Sequence, residues 1–388
     1  MFRIAMSVAS GLVHFYVYRR LIGVIEPSRR TRRILTALFV VCFLSVPLAT
    51  SARMWAPSFA SVLGWISGPW LACVGLSATY FLILDVIRGA AWVVRKASRR
   101  PPATGAALSR REFITRVGGG AALAMTGASV GLGMIEARGD HEIVTVEIKL
   151  AKLPRALDGF SIVQLSDLHT GMTIDRDFVQ RVVDRANALN ADLVALTGDL
   201  VDGPVDRLRD DIAPLAQLRA KHGVFAVTGN HEYYAGVDEW IAEISRLGAR
   251  YLRNQRVTIG APGASFELAG VDDYSAHEWP GHGEDLGAAT AGRDPSSALV
   301  LLAHQPRQVK HASQHGVDLQ LSGHTHGGQI WPWHYIVKLQ QGGLLAGTYE
   351  HDGTQLYVTR GCGYWGPPVR LGAPLEITKI VLRSTAVA

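Results

Sequence analysis

Residues 34–51 and 59–87 are long apolar stretches, and they constrain this chain more than any other feature. A helix takes about 20 residues to cross a hydrocarbon core, so both are expected to span a membrane. Residues 4–18 make a shorter apolar run closed by Arg19 and Arg20, whose long side chains can snorkel and let the helix continue toward Ile25. A further span is expected there. Between the first and second runs stand Arg19, Arg20, Arg29, Arg30, Arg32 and Arg33, whereas between the second and third there is only Arg53. By the positive-inside rule the first loop is cytoplasmic and the second external.

After the third run, Arg88, Arg95, Lys96, Arg99, Arg100, Arg110, Arg111 and Arg116 mark a second cytoplasmic segment, with residues 101–108 as its flexible linker. Ser109-Arg110-Arg111-Glu112-Phe113-Ile114, followed by the Gly/Ala-rich run 117–134, looks like a twin-arginine export signal placed inside the chain, which would make the translocation machinery a partner. The competing reading takes the arginine pair as ordinary inside-positive charge. Either way the downstream domain is expected on the extracytoplasmic side of the inner membrane. Gly118, Gly119, Gly120, Ala121 and Ala122 make this run weakly hydrophobic, so retention, cleavage and failed insertion all stay open. The expected organisation is a membrane region over 1–116, a fourth apolar segment over 117–136 and a catalytic domain over 142–388.

A chain of 388 residues has room for a membrane region and one large domain. Its net charge of +6 comes largely from arginines beside the apolar runs, where a topology signal explains them better than a nucleic-acid patch. No nucleic-acid partner is expected. Cys42 and Cys73 lie in apolar runs and Cys362 far away, so neither a disulfide framework nor a thiolate metal site can be built.

From Ile143 onward, short apolar runs alternate with helical periodicity, the pattern of an α/β domain. Residues 160–165, 193–197, 224–228, 299–303 and 319–321 read as strands; residues 176–189 and 237–247 read as amphipathic helices. Each of the five strands runs directly into a polar cluster: Asp167 and His169; Asp199 and Asp202; Asn230 and His231; His304; His324 and His326. Ligands of α/β sheets bind beyond the carboxyl ends of strands, so these clusters should converge. Taken singly, each is a hydrogen-bonded histidine or a turn former. Together they supply carboxylate, imidazole and amide donors without thiolate, a set suited to Mn, Fe or Zn.

The series Asp167-x-His169, Gly198-Asp199-x-x-Asp202, Gly229-Asn230-His231-Glu232, His304 and Gly323-His324-x-His326 resembles, in content, order and spacing, the full signature of the calcineurin-like metallophosphoesterases. The resemblance implies a four-layer α-β-β-α sandwich following the all-α transmembrane region. It also implies two divalent metal ions, with Asp167, His169 and His326 on one, Asn230, His304 and His324 on the other, and Asp199 bridging. His231 would be the general acid and not a ligand. The implied reaction is hydrolysis of a phosphoester or pyrophosphate by in-line attack of a hydroxide shared by the metals, which lower the pKa of water and clamp the phosphoryl oxygens.

Asp202 and Glu232 are candidates to fix imidazole orientation from behind the ligands. For Glu232 a surface position at a helix start competes with that role. Asp272 and Asp273, after the strand-like run 266–271, read as a plain turn in preference to a place near the site, and His277, His282, His311 and His315 as solvated. Residues 327–333 carry Trp331 and Trp333 where a loop should be polar, either as a packing turn or as a rim at lipid headgroups. In residues 360–370 glycines allow close backbone approach, and Arg360 or Arg370 is a candidate for a second phosphate.

Membrane attachment suggests a lipid-linked or envelope substrate, with a pyrophosphohydrolase acting on UDP-2,3-diacylglucosamine as a specific alternative that conflicts with the topology. A non-catalytic membrane module built on the same fold is the rival from another class. A regulated transporter is a third, disfavoured because the spans carry little polarity beyond His14 and Asp85.

Overall fold

The computed structural model describes residues 2–52, 55–98 and 114–385. Residues 109–113 of the twin-arginine-like motif and the linker 101–108 lie outside the described residues. The chain divides into two compact units, Met1–Ile135 with Gly366–Val369, and Glu136–Trp365 with Arg370–Ala388.

The first unit is built on helices α1 (Phe2–Ile25), α2 (Arg29–Ala52), α3 (Pro57–Ala97) and α4 (Gly119–Arg138), the last entered through a π-helical turn at Ile114–Gly118. Four segments, Val8–Ile25, Arg29–Ala52, Ser58–Val94 and Thr115–Arg138, are long and apolar enough to cross a membrane. Leu12, Phe15, Leu38, Val41, Leu82 and Val86 are exposed on the outside of these helices, as expected where lipid is the solvent. Polar groups pair between helices instead. The Trp70 indole N–H donates to His14 Nε2 at 2.9 Å, and Asp85 accepts from Tyr16 at 2.8 Å and pairs with Arg20 at 3.1 Å. At 41 residues α3 is roughly 60 Å long at 1.5 Å per residue, and its basic end runs ten residues past the apolar stretch expected from sequence.

The second unit contains two six-stranded mixed sheets. The first has strands β1 (Glu142–Leu150), β2 (Ser161–Leu165), β3 (Leu193–Leu196), β4 (Val224–Ala226), β5 (Ala249–Tyr251) and β12 (Glu376–Ser384), in the order β1-β12-β2-β3-β4-β5. The second has β6 (Gln255–Ala261), β7 (Ala264–Gly270), β8 (Leu299–Leu302), β9 (Leu319–Ser322), β10 (Gly347–His351) and β11 (Thr354–Val358), in the order β10-β11-β9-β8-β7-β6. Strands β2 to β5 run parallel to one another, as do β7, β8, β9 and β11. Strand β12 closes the first sheet by pairing parallel with β1 and antiparallel with β2.

Side chains alternate across a strand, and here both faces are buried, which is why the strands read as continuous apolar runs. Ile162, Leu193, Ala195 and Phe225 of one sheet meet Phe266, Leu268, Val300, Leu302 and Leu321 of the other in an inner core. The alternate residues Val163, Leu165, Val194 and Leu196 face outward and are covered by Phe178, Val179, Val182 and Val183 of α5 (Arg176–Ala188), together with Trp240 and Ile244 of α8 (Val237–Arg246). Between these helices come α6 (Val205–Ile212) and α7 (Asn230–Ala235). On the far face of the second sheet, Ala269, Leu299 and Leu301 are covered by Leu286 and Ala289 of α9 (Leu286–Thr290) and Ala312 of α10 (Val309–Gln314). The layers are helix, sheet, sheet, helix. A last helix, α11 (His334–Gln340), follows β9.

Candidate metal centre

The loops that leave β2, β3, β4, β8 and β9 all end in functional groups, and their backbones are laced together. Asp167 and His169 donate their N–H groups to the carbonyls of Gly198 and Asp199, both at 3.0 Å, and Gly323 donates to His304 O at 3.0 Å. The lacing holds unusual backbone. Asp167, His169, Asp199, His324 and His326 all have positive φ, between 51° and 73°, a region that costs a side-chain-bearing residue energy and is kept where function needs it. Close approach requires glycine at Gly229 and Gly323, where a Cβ would land on the Asp199 and Asp167 carboxylates respectively.

Three groups of potential ligand atoms lie within 4.8 Å of one another: Asp167, His169 and His326; His169, Asp199 and His231; Asp199, His304 and His324. Asp199 belongs to two of them. His169 Nε2 and His326 Nε2 are 3.0 Å apart, His326 Nε2 is 3.5 Å from Asp167 Oδ1, and His304 Nε2 is 3.1 Å from Asp199 Oδ2. Hydrogen bonds from behind fix these rings. His304 Nδ1 donates to Thr197 O at 2.8 Å, leaving Nε2 turned to Asp199, and His169 Nδ1 donates to Asp202 at 2.8 Å.

Two buried atoms in this cluster make no hydrogen bond, Asn230 Oδ1 and His304 Nε2. Buried polar atoms are normally paired, so orphaned acceptors aimed into a ring of carboxylates and imidazoles fit the donor set of a metal site. Burial opposes charge on His304, yet Asp199, Asp167 and Asp273 push its pKa well above the ordinary value. Burial alone would raise the Asp199 carboxyl, but His304, His231 and His169 hold it well below the usual carboxylate range.

His231 sits at the edge. Its N–H donates to Asp199 Oδ1 at 2.8 Å and its Nδ1 donates to Asp202 Oδ1 at 2.7 Å, so one carboxylate orients both His169 and His231. Burial works against charging the ring, but Asp199 and Asp202 outweigh it and push its pKa up to about 9. Tyr234 and Trp365 flank His231, with ring centroids 5.4 and 5.8 Å from its own.

Glu232 is not a surface residue at a helix start; it is buried and accepts N–H bonds from Asp199 at 3.0 Å, Gly229 at 2.6 Å and Leu200 at 2.6 Å. Burial, then the charge of Asp199, raises its pKa to about 7. The two candidate phosphate arginines are committed elsewhere. Arg370 is fully buried and spends its guanidinium on the carbonyls of Gly363, Arg360 and Ala373 and on His326 Nδ1 at 3.2 Å. Arg360 pairs with Glu376 at 2.6 Å and Glu142 at 2.7 Å.

The Asp272–Asp273 turn is less plain than its sequence. Asp272 takes a bidentate pair from Arg253, and Asp273 accepts from Gln305 at 3.0 Å, behind His304. His282, expected in solvent, packs 2.7 Å from Arg253 and against Tyr233. His311 is exposed and pairs with Glu284. No local pattern singled out Gln305, which meets Asp273 across loops 32 residues apart. The aromatic pair beside His231 was visible only as Asn-His-Glu-Tyr-Tyr and Gly-Tyr-Trp-Gly, with nothing to join them.

The calcineurin-like phosphoesterase family model matches residues 160–328, which contain all seven proposed ligands and His231. A transmembrane protein with metallophosphoesterase domain from Danio rerio is 39% identical over 271 residues, covering 68% of this chain and 62% of that protein. The chain thus spans less than two thirds of that relative's length. A metallophosphoesterase of Bacillus subtilis is 32% identical over 287 residues, which are 72% of this chain and 99% of that protein. One from Campylobacter jejuni is 29% identical across 96% of both chains, membrane half included. The chain belongs to the calcineurin-like metallophosphoesterase family.

Proposed function

We propose that this chain is a metal-dependent phosphohydrolase that cleaves a phosphoester or pyrophosphate bond in a lipid-linked or envelope substrate, outside the cytoplasm. The observation that carries the reading is the pair of orphaned acceptors, Asn230 Oδ1 and His304 Nε2, among carboxylates and imidazoles. Asp167, His169 and His326 would hold one divalent ion, Asn230, His304 and His324 a second, and Asp199 both. When bound, such a pair supplies a nucleophile at neutral pH and neutralises charge on the phosphoryl oxygens. Mn, Fe and Zn all suit this donor set.

The chain's own residues supply the proton and the orientation. Asp199 and Asp202 favour the protonated His231 ring, its Nδ1–H is held by Asp202, and the proton on Nε2 would be the one available to a leaving oxygen. Glu232 keeps the Asp199 and Gly229 backbones in register, and Asp202 keeps the two imidazoles aimed. A lipid-linked substrate is supported by the four apolar helices and by the transmembrane relative in Danio rerio. Arg29, Arg30, Arg32 and Arg33 at the start of α2 favour a cytoplasmic α1–α2 turn and an extracytoplasmic domain.

Full-length protein in nanodiscs tests this against aryl phosphate mono- and diesters, phospholipids and UDP-2,3-diacylglucosamine, before chelation, after it, and with Mn restored. Hydrolysis that disappears on chelation and returns with Mn is expected, with a lipid-linked ester the best substrate. Hydrolysis indifferent to chelation, or no hydrolysis of any ester, contradicts the reading. Alkaline phosphatase fused after Ala388 is expected to be active, and silence there with an active cytoplasmic reporter reverses the sidedness.

A further inference from the structure

The second unit carries one element whose apolar side faces outward. In α11, Tyr335, Ile336 and Leu339 are 65%, 58% and 83% exposed, and none of the helix's residues is buried. Spaced at i, i+1 and i+4, they share one face. Trp331, just before the helix, is 45% exposed. The segment is built, not frayed. Trp331 N–H donates to Leu371 O at 2.9 Å, Leu371 N–H donates to Gln329 O at 2.8 Å, and the Gln329 amide exchanges bonds with the Trp365 backbone at 2.9 and 3.0 Å. A helix fixed at its root while its apolar face stays in the open is shaped for something that covers it.

We infer that Trp331 and the outward face of α11 dock into the headgroup region of the lipid bilayer that holds the chain's apolar helices. Three observations choose that occupant. The chain carries four helices apolar enough to cross a membrane, and the last of them, α4, ends at Arg138, with only residues 139–141 before β1. Three extended residues reach roughly 10 Å, so a bilayer crossed by α4 lies close to this unit. The residue types are those of a membrane interface: indole, phenol, branched aliphatics and, at Lys338, a cation on a long apolar stem. A second copy of the chain is a poor fit, because a seven-residue helix offers far less than the roughly 1,200–2,000 Å² that stable interfaces bury.

Exposed Trp365, tied through Gln329 to the root of this segment, lies against His231, with ring centroids 5.8 Å apart. Docking would therefore bring the edge of the cage to the headgroups, a use that rests on the phosphohydrolase reading, whereas docking itself does not.

The test uses the full-length chain with Cys42→Ala and Cys73→Ala, leaving buried Cys362 in place. Leu339→Cys, or Asp184→Cys on α5 as a comparison, is labelled with an environment-sensitive nitrobenzoxadiazole dye and reconstituted in phosphatidylcholine–phosphatidylglycerol vesicles. Interfacial helices sink about 5–10 Å, so brominated acyl chains are expected to remove most of the emission at position 339 and little at 184. Equal, negligible quenching at both positions overturns the inference. So does a blue-shifted label that bromine leaves untouched while Leu339→Cys chains cross-link, since a second copy would then cover the face. Unchanged metal content of each variant shows that its fold is intact, and both readouts hold whether or not the protein hydrolyses any ester.

Discussion

His231 and its neighbours separate two jobs that sequence spacing alone leaves mixed. Its ring is tied to Asp202, while its backbone N–H supports Asp199. Replacing it with alanine keeps that N–H, so His231→Ala is expected to retain bound metal while turnover falls about 10²–10⁴-fold, the usual worth of a proton donor. Loss of metal in that variant, read by plasma mass spectrometry, would make His231 a ligand instead. A second residue prediction concerns His141, buried and donating to Cys362 O at 2.8 Å, where burial first and foremost lowers its pKa to about 4. The unfolded chain takes up that proton first as the pH falls, so its contribution is complete above about pH 6.5 and is lost between there and about pH 4. The full difference is worth about 3 kcal/mol. Thermal melts should show this loss, and His141→Gln should flatten it; equal slopes in both proteins would refute the assignment. At this scale the candidate ligands stand out because each follows a strand directly. The partners of Arg360 and Arg370 do not, since a guanidinium beside glycines looks the same whether it waits for phosphate or braces a loop.

At the scale of elements, Glu232 is the tie between two loops. It accepts three buried N–H groups from the turns after β3 and β4, and removing an acceptor leaves each donor unpaired. Glu232→Ala is expected to cost about 3–5 kcal/mol of stability and to weaken metal binding, measured by denaturant melts and metal titration. A change within about 0.5 kcal/mol would show that the loops hold without it. Strands β2, β3, β4, β8 and β9 were readable because burial on both faces makes them largely apolar, with Gln164 and Gln320 as buried polar exceptions. β12 was not, because its place between β1 and β2 is a pairing of residues more than 200 positions apart, which no local pattern encodes. Helix α11 hid for a different reason: its apolar face is exposed, so nothing in the core set its period.

Across the whole molecule, one apolar unit and one α/β unit were foreseeable from where hydropathy changes character, near residue 136. What the sequence could not convey is how positive-φ turns at Asp167, His169, Asp199, His324 and His326 aim three of the five loops at one point. The central claim is that these loops form a single cage for two cations with Asp199 between them. Metal content of the full-length protein, wild type against Asp199→Ala, after exhaustive exchange into metal-free buffer and loading with Mn, tests it most directly. Two ions per wild-type chain, and at most one in a folded Asp199→Ala variant, are what the cage predicts. A wild-type chain that takes up none, or an Asp199→Ala variant that still holds two, contradicts it.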